Sequence, residues 1–265
     1  MLAGLAPARR RVVLTLLVLV IAVAAALTTA LVGRRPAQVD GPVPQTRPGP
    51  VLLVPGYGGA TGSLQSLADR LTAAGRDATV VALPGDGTGD LHAAADALDA
   101  AVSDALARTG EATVDVIGYS AGGIVARLWV ADGNAGVVRR VLTLGSPHHG
   151  TSLADLAGSV ASCPVGCRQL GTGSEVLAVL NAGDETPDGP TWVSVWTAQD
   201  ETVTPPDSAR LDGALNLTVQ SVCPDARVGH GDLPRSPLVQ RIVLAELAAG
   251  EPVALGPADC ARLSG

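Results

Sequence analysis

Three residue types in one chain order could do chemistry here: a serine set between glycines, then an acid, then a histidine. Gly118-Tyr119-Ser120-Ala121-Gly122-Gly123 follows the run Val114-Asp115-Val116-Ile117 and leads into an apolar helical pattern. A turn that tight from strand to helix forces the serine into a strained backbone conformation. Glycines on either side let strand and helix approach closely. The hydroxyl then stands at a helix N-terminus, where developing negative charge is favoured. The chemistry this predicts is nucleophilic attack by Ser120 on an acyl carbon. A glycine-rich turn with an incidental serine is the bland alternative, and the flanking strand and helix patterns weigh against it.

Serine needs a base. The chain has four histidines, His92, His148, His149 and His230. A sheet enzyme with its nucleophile on a strand-to-helix turn runs serine, acid, histidine along the chain. His230, in Val228-Gly229-His230-Gly231-Asp232, fits that order. His148 and His149 follow a strand directly and leave no strand between them and Ser120 to present an acid. They read as structural residues of their loop. The acid should stand just past a strand between Ser120 and His230. Asp200 is the first acid after Thr191–Thr197, with Glu201 as its competitor, while Asp207 and Asp212 read as surface acids. Oxyanion donors are expected from the backbone N–H of Ala121 and of Tyr57, the latter in Val54-Pro55-Gly56-Tyr57-Gly58-Gly59. That glycine loop has neither a dinucleotide nor a Walker spacing.

The elements that must position these residues alternate strand and helix. Strands are expected at Val51–Val54, Ala78–Leu83, Val114–Gly118, Val138–Leu144, Thr191–Thr197 and Leu215–Val219. Helices are expected at Ser63–Ala74, Asp90–Arg108 with Asp90 as cap, Ala121–Val130 and Pro237–Ala249. The fold class is therefore α/β, a mostly parallel central sheet with helices on both faces. Residues 146–190 lack a clear strand and read as a helical insertion, with short helices near Thr151–Val160 and Ser174–Leu180.

Of the 265 residues none is Lys or Phe, and all 18 basic residues are Arg. Residues 1–50 carry net +5 and the remainder −12, which sum to the net charge of −7. An acidic main domain argues against a nucleic-acid partner. Three arginines precede an uncharged run, Val12–Gly33, that would span about 33 Å as a helix, enough for a bilayer core. Residues 1–35 are read as a membrane anchor, with a cleaved signal sequence as the alternative. Residues 36–50 read as a Pro-rich linker and 51–265 as the catalytic domain. Either reading of the N-terminus places the domain outside the cytoplasm.

The segments Val51–Gly59, Gly118–Gly123 and Leu144-Gly145-Ser146-Pro147-His148-His149-Gly150-Thr151, with Asp200 and Gly229-His230, resemble the small extracellular bacterial lipases and esterases of the α/β-hydrolase superfamily. They are most similar to the lipase class 2 group. The likeness covers roughly residues 50 to 248. It implies a Ser120, Asp200, His230 triad, oxyanion donors at Tyr57 and Ala121, and a lipid or small acyl-ester substrate with no organic cofactor. Where many relatives have histidine before the oxyanion glycine, this chain has Pro55. The expected function is carboxylic-ester hydrolysis by a monomer. An envelope acyltransferase and a non-catalytic binding module are the alternatives.

An exported chain with four cysteines favours disulfides. Cys163–Cys167 is expected because Pro164 and Gly166 can turn the chain back. Cys223–Cys260 is expected because Cys223 follows the last strand and Cys260 lies beyond a final helix that packs back along the sheet. A zinc site is the poorer reading, since no histidine lies at finger spacing.

Overall fold

The computed structural model describes residues 43–160 and 163–265. The expected anchor run Val12–Gly33 and the first part of the expected linker lie outside the described residues. Among the described residues no helix is long and apolar enough to cross a membrane.

Six strands form one parallel sheet: β1 (Val51–Val54), β2 (Ala78–Val80), β3 (Val114–Tyr119), β4 (Val138–Leu144), β5 (Thr191–Trp196) and β6 (Leu215–Thr218). Their order is β2-β1-β3-β4-β5-β6, every neighbouring pair parallel. The main helices are α1 (Gly62–Ala73), α2 (Leu91–Thr109), α3 (Ala121–Trp129) and α8 (Pro237–Glu246). Shorter ones are α4 (Ser152–Val160), α5 (Val165–Gln169), α6 (Glu175–Leu180), α7 (Val219–Val222) and α9 (Cys260–Ser264).

Strand side chains alternate between two cores, as a period of two requires. Leu52, Val54, Val114 and Val116 pack with α2 and α3 through Leu98, Val102 and Ile124. Val51, Leu53, Ile117 and Leu142 pack with α1 and α8 through Leu64, Leu67, Ile242 and Val243. With both faces covered, β1 and β4 are apolar along most of their length rather than alternating. The chain runs from β1 outward to β2, then returns across β1 to β3. Crossovers of one hand in opposite directions put α1 and α2 on opposite faces. The reversal opens a crevice beyond the C-terminal ends of β1 and β3, where ligands of such sheets bind.

Three expected boundaries shift, each for a local reason. β2 ends at Val80 rather than Leu83. Val81 N–H keeps one bond to the Leu53 carbonyl at 2.9 Å, and the chain then bends at Pro84. α8 ends at Glu246 rather than Ala249. Arginines take the next carbonyls: Arg139 bonds Leu247 O at 2.9 Å and Ala248 O at 3.0 Å. Residues 43–50, expected as free linker, pack against the domain. Val43 is 2% exposed, Gln45 donates to the Arg139 carbonyl at 3.1 Å, and the Pro50 carbonyl accepts from Asp115 N–H at 2.8 Å.

At that end of the sheet Asp115 is wholly buried between two arginines. Arg139 grips it with bonds of 2.8 and 2.6 Å, and Arg76 adds one of 2.6 Å. A buried charge is tolerable only when paired and hydrogen-bonded in this way. Both expected disulfides are present, Cys163–Cys167 and Cys223–Cys260.

Candidate active site

Ser120 ends the turn from β3 to α3 with φ +53 and ψ −124. Among the described residues it alone of the non-glycine residues has positive φ. Strain of this kind costs on the order of 1–3 kcal/mol and persists only where packing enforces it. The flanking glycines explain the enforcement. A Cβ on Gly118 would meet Gly123 Cα at 2.5 Å, and one on Gly122 would meet the Val54 carbonyl at 2.2 Å. Ser120 N–H is tied to the Leu144 carbonyl at 2.8 Å, so β4 also holds the turn.

His230 opens a short turn before α8. Its Nε2 lies 3.1 Å from Ser120 Oγ and its Nδ1 lies 2.7 Å from Asp200 Oδ2. With Asp200 as a carboxylate, which only accepts, Nδ1 carries the proton and Nε2 offers a lone pair to the serine hydroxyl. Asp200 Oδ1 accepts from Thr202 N–H at 2.9 Å and Val203 N–H at 2.7 Å. Its carboxylate is thus held at both oxygens, and the residue is 5% exposed. Glu201, the competing acid, is exposed, and so are Asp207 and Asp212.

The structure adds residues that sequence reasoning passed over. Tyr119 OH donates to the His230 carbonyl at 3.2 Å. Burial, and then the negative charge of Asp200, push the Tyr119 phenol up to about 12. It therefore stays a donor at any ordinary pH. Gly145, with φ +56, lies against the acid–imidazole pair. A Cβ there would come within 2.6 Å of Leu233 Cδ1 and 3.2 Å of His230 Nδ1. Thr197 Oγ1 donates to the Val228 carbonyl at 2.6 Å, and Gln199 Oε1 accepts from Val228 N–H at 3.2 Å. These bonds join the acid's loop to the base's loop. Tyr119 and Gly145 sit inside motifs already singled out; Thr197 and Gln199 carry no local signal, because their partners are about thirty residues away.

The two expected oxyanion residues stand at the crevice. Among the described residues neither Tyr57 N–H nor Ala121 N–H finds a protein acceptor. The Tyr57 loop is fixed on its far side by Gly58 N–H bonding the Gly87 carbonyl at 3.0 Å. Beside both donors opens a cavity of about 300 Å³, mouth included, between the β1 loop, residues 83–91 and helices α2 and α3. A larger open depression is lined by Thr191, Trp192 and Leu215, at the starts of β5 and β6. That is the opposite end of the sheet from Ser120.

The other histidines take no part in this network. His148 is fully buried with Nε2 at 3.1 Å from Thr143 Oγ1. Burial first, then the charges of Arg127 and His149, hold it well below the usual imidazole range. His149 Nε2 lies 2.9 Å from Glu185 Oε1. His92 is exposed in the first turn of α2. Among the described residues no group of three or more His, Cys, Asp or Glu could hold a metal ion.

Comparison with known proteins agrees with this architecture. The family model for palmitoyl protein thioesterase matches residues 50–177, a little less than half of the chain. No curated protein sequence matches it. Aspergillus fumigatus lipase B is similar in structure, with a TM-score of 0.68 at 20% identity over 86% of this chain. The match spans 63% of that lipase's own length. Bacillus licheniformis lipase BlEst2 in its mature form superposes with a TM-score of 0.61 at 21% identity, over 79% of this chain and 95% of that one. An alpha-beta serine hydrolase homologue from Coxiella burnetii gives 0.52 at 14% identity, over 78% and 89%. The parallel sheet with its reversal at β1, the strained serine turn closing β3, and these likenesses give the chain the α/β-hydrolase fold.

Proposed function

We propose that this protein hydrolyses carboxylic esters through an acyl-enzyme formed on Ser120. The observation that carries the reading is the continuous line from Asp200 Oδ2 to His230 Nδ1 at 2.7 Å and from His230 Nε2 to Ser120 Oγ at 3.1 Å. Both lengths are those of working hydrogen bonds.

In this reading Ser120 Oγ attacks the ester carbonyl while its proton passes to His230 Nε2. Asp200 keeps the imidazole in the needed tautomer and stabilises the imidazolium without taking the proton. The carbonyl oxygen, now negative, receives the N–H groups of Tyr57 and Ala121. One such donor is worth about 10²–10³ in kcat. The intermediate collapses, the C–O bond to the leaving alcohol breaks, and His230 returns the proton to that oxygen. Water then attacks the acyl-Ser120 carbonyl, giving its proton to His230, and the acid product leaves as Ser120 recovers its proton. No cofactor enters either half.

A thioester would follow the same course with a thiol as leaving group. The match to the palmitoyl protein thioesterase model over residues 50–177 is the observation that favours including it. The substrate class is thus an acyl ester or thioester, and nucleic acid is not a partner of so acidic a domain. Two disulfides favour an oxidising compartment. They support export, with residues 1–35 as anchor or signal and the catalytic domain beginning at or before Val51.

The test is labelling with a fluorophosphonate probe, followed by peptide mapping, alongside turnover of nitrophenyl esters and an acyl thioester. The expected result is a label on Ser120 and turnover lost in Ser120→Ala. A folded wild-type protein that neither labels nor turns over any ester or thioester would overturn the reading.

A further inference from the structure

The cavity lined by Gly56 and Ala121, the latter next in sequence to Ser120, is bounded by side chains that leave little room for a long chain. Its lining includes Leu91 and Ala94 from α2 and Val125 from α3. These are 4%, 5% and 1% exposed, so the wall behind them is solid core. Apart from its open mouth the cavity measures about 20 Å³, little more than the room one water-sized group needs. Tyr57 and Ala121 line the same cavity, so it adjoins the two expected oxyanion residues.

The wall is also pinned from outside. Gln169, at the end of α5, bridges to the start of α2: its Oε1 accepts from Leu91 N–H at 2.8 Å, and its Nε2 donates to Asp90 Oδ1 at 2.7 Å. Asp90 in turn caps His92 N–H at 3.0 Å. Gly166 N–H bonds the Thr88 carbonyl at 3.1 Å, and a Cβ on Gly166 would fall 2.4 Å from the Gly89 carbonyl. The Cys163–Cys167 disulfide closes the turn that presents Gly166. Swinging the start of α2 outward would break all of these contacts together.

We propose that this cavity takes the acyl group of the substrate and admits only a short one, acetyl to butyryl, with Leu91 and Ala94 setting the limit and Gln169 positioning the wall that carries them. The proposal rests on the ester-hydrolase reading above and narrows its substrate class.

The experiment is a kcat/KM series on nitrophenyl acetate, butyrate, octanoate and detergent-dispersed palmitate, using the full chain with active sites counted by fluorophosphonate titration. Wild type should be best on acetate or butyrate and about tenfold or more poorer on octanoate, the discrimination a hydrophobic pocket can deliver. Leu91→Ala should raise the octanoate-to-butyrate ratio by about tenfold. Ala94→Leu should lower butyrate relative to acetate. Gln169→Ala should move the ratio in the same direction as Leu91→Ala, by a smaller factor. A merely structural loss would lower the titrated site count and leave the ratio alone. Should Ser120 label while octanoate or palmitate is the best wild-type substrate, or should Leu91→Ala leave the ratio unchanged, the short-acyl proposal is overturned and the hydrolase reading stands. Absence of both labelling and turnover removes the two together.

Discussion

The phenol of Tyr119, the residue just before the strained serine, donates a 3.2 Å hydrogen bond to the backbone carbonyl of His230, with the two rings 5.2 Å apart. One residue of the serine turn thereby holds the loop that carries the imidazole, across 111 positions of chain.

Tyr119→Phe should keep the fold, cost about 1 kcal/mol for the lost bond, and lower kcat several-fold through a looser His230. Ring packing survives the change, so larger losses are not expected. In wild type the phenol's ordinary value is raised to about 12 in the folded state. A raised acid holds its proton longer when folded, so its stabilisation is complete below pH 10 and lost as pH climbs toward 12. Ultraviolet titration of tyrosinate in wild type against Tyr119→Phe checks this.

Asp200→Asn should lower kcat by roughly a thousandfold or more. The asparagine oxygen can keep the Thr202 and Val203 N–H bonds, while its NH₂ would face Nδ1 and favour the wrong tautomer. Glu201→Gln, an exposed change, should stay within about twofold of wild type. The reverse order would move the acid to Glu201.

Gly145→Ala should lower both stability and kcat, because the new methyl would press on Leu233 and the His230 ring at a positive φ. His148→Ala, by contrast, should reduce thermal stability while leaving kcat of the folded fraction within about tenfold. His148 is a buried partner of Thr143, not of Ser120. Melting temperatures and titrated kcat separate the two effects.

Glu246 gives stability a pH dependence of its own. Burial raises its carboxyl from 4.5 to about 7, against the weaker opposing pulls of Val253 N–H and Arg140. Below pH 4.5 both folded and unfolded chains hold this proton. Between 4.5 and about 7 only the folded chain does, so rising pH favours unfolding, and above about 7 the stabilisation is gone. Relative to wild type, Glu246→Gln should therefore gain stability as pH rises through that window. A stability difference independent of pH would show that Glu246 does not titrate there.

The disulfides should contribute unequally. Their sequence separations are 4 and 37 residues, worth about 2 and 4 kcal/mol in the chain-entropy model. Cys260→Ser should therefore lower the melting temperature more than Cys163→Ser. It should also speed hydrogen exchange around His230 more, because Cys223 begins the segment leading into that turn.

The sequence by itself determined the strand–helix order, the serine turn and the chain order Ser120, Asp200, His230, because each is local. Alternating or continuous apolar runs, a glycine on either side of a serine, and an acid just past a strand need no partner to be recognised. Even the disulfide pairs were legible, one from its short loop and the other from where the last helix must return. Tertiary structure alone decided what depends on distant chain. Arg139 and Arg140 end α8 early by taking its carbonyls. Residues 43–50 join the fold because Asp115, Arg139 and Gly189 meet them. Gln169 reaches α2 across 78 residues, and Thr197 and Gln199 bind the loop of His230 from the next strand. Polar side chains of these types carry no periodic signature. Their partners are fixed only when the buried sheet, packed on both faces, sets which loops lie side by side.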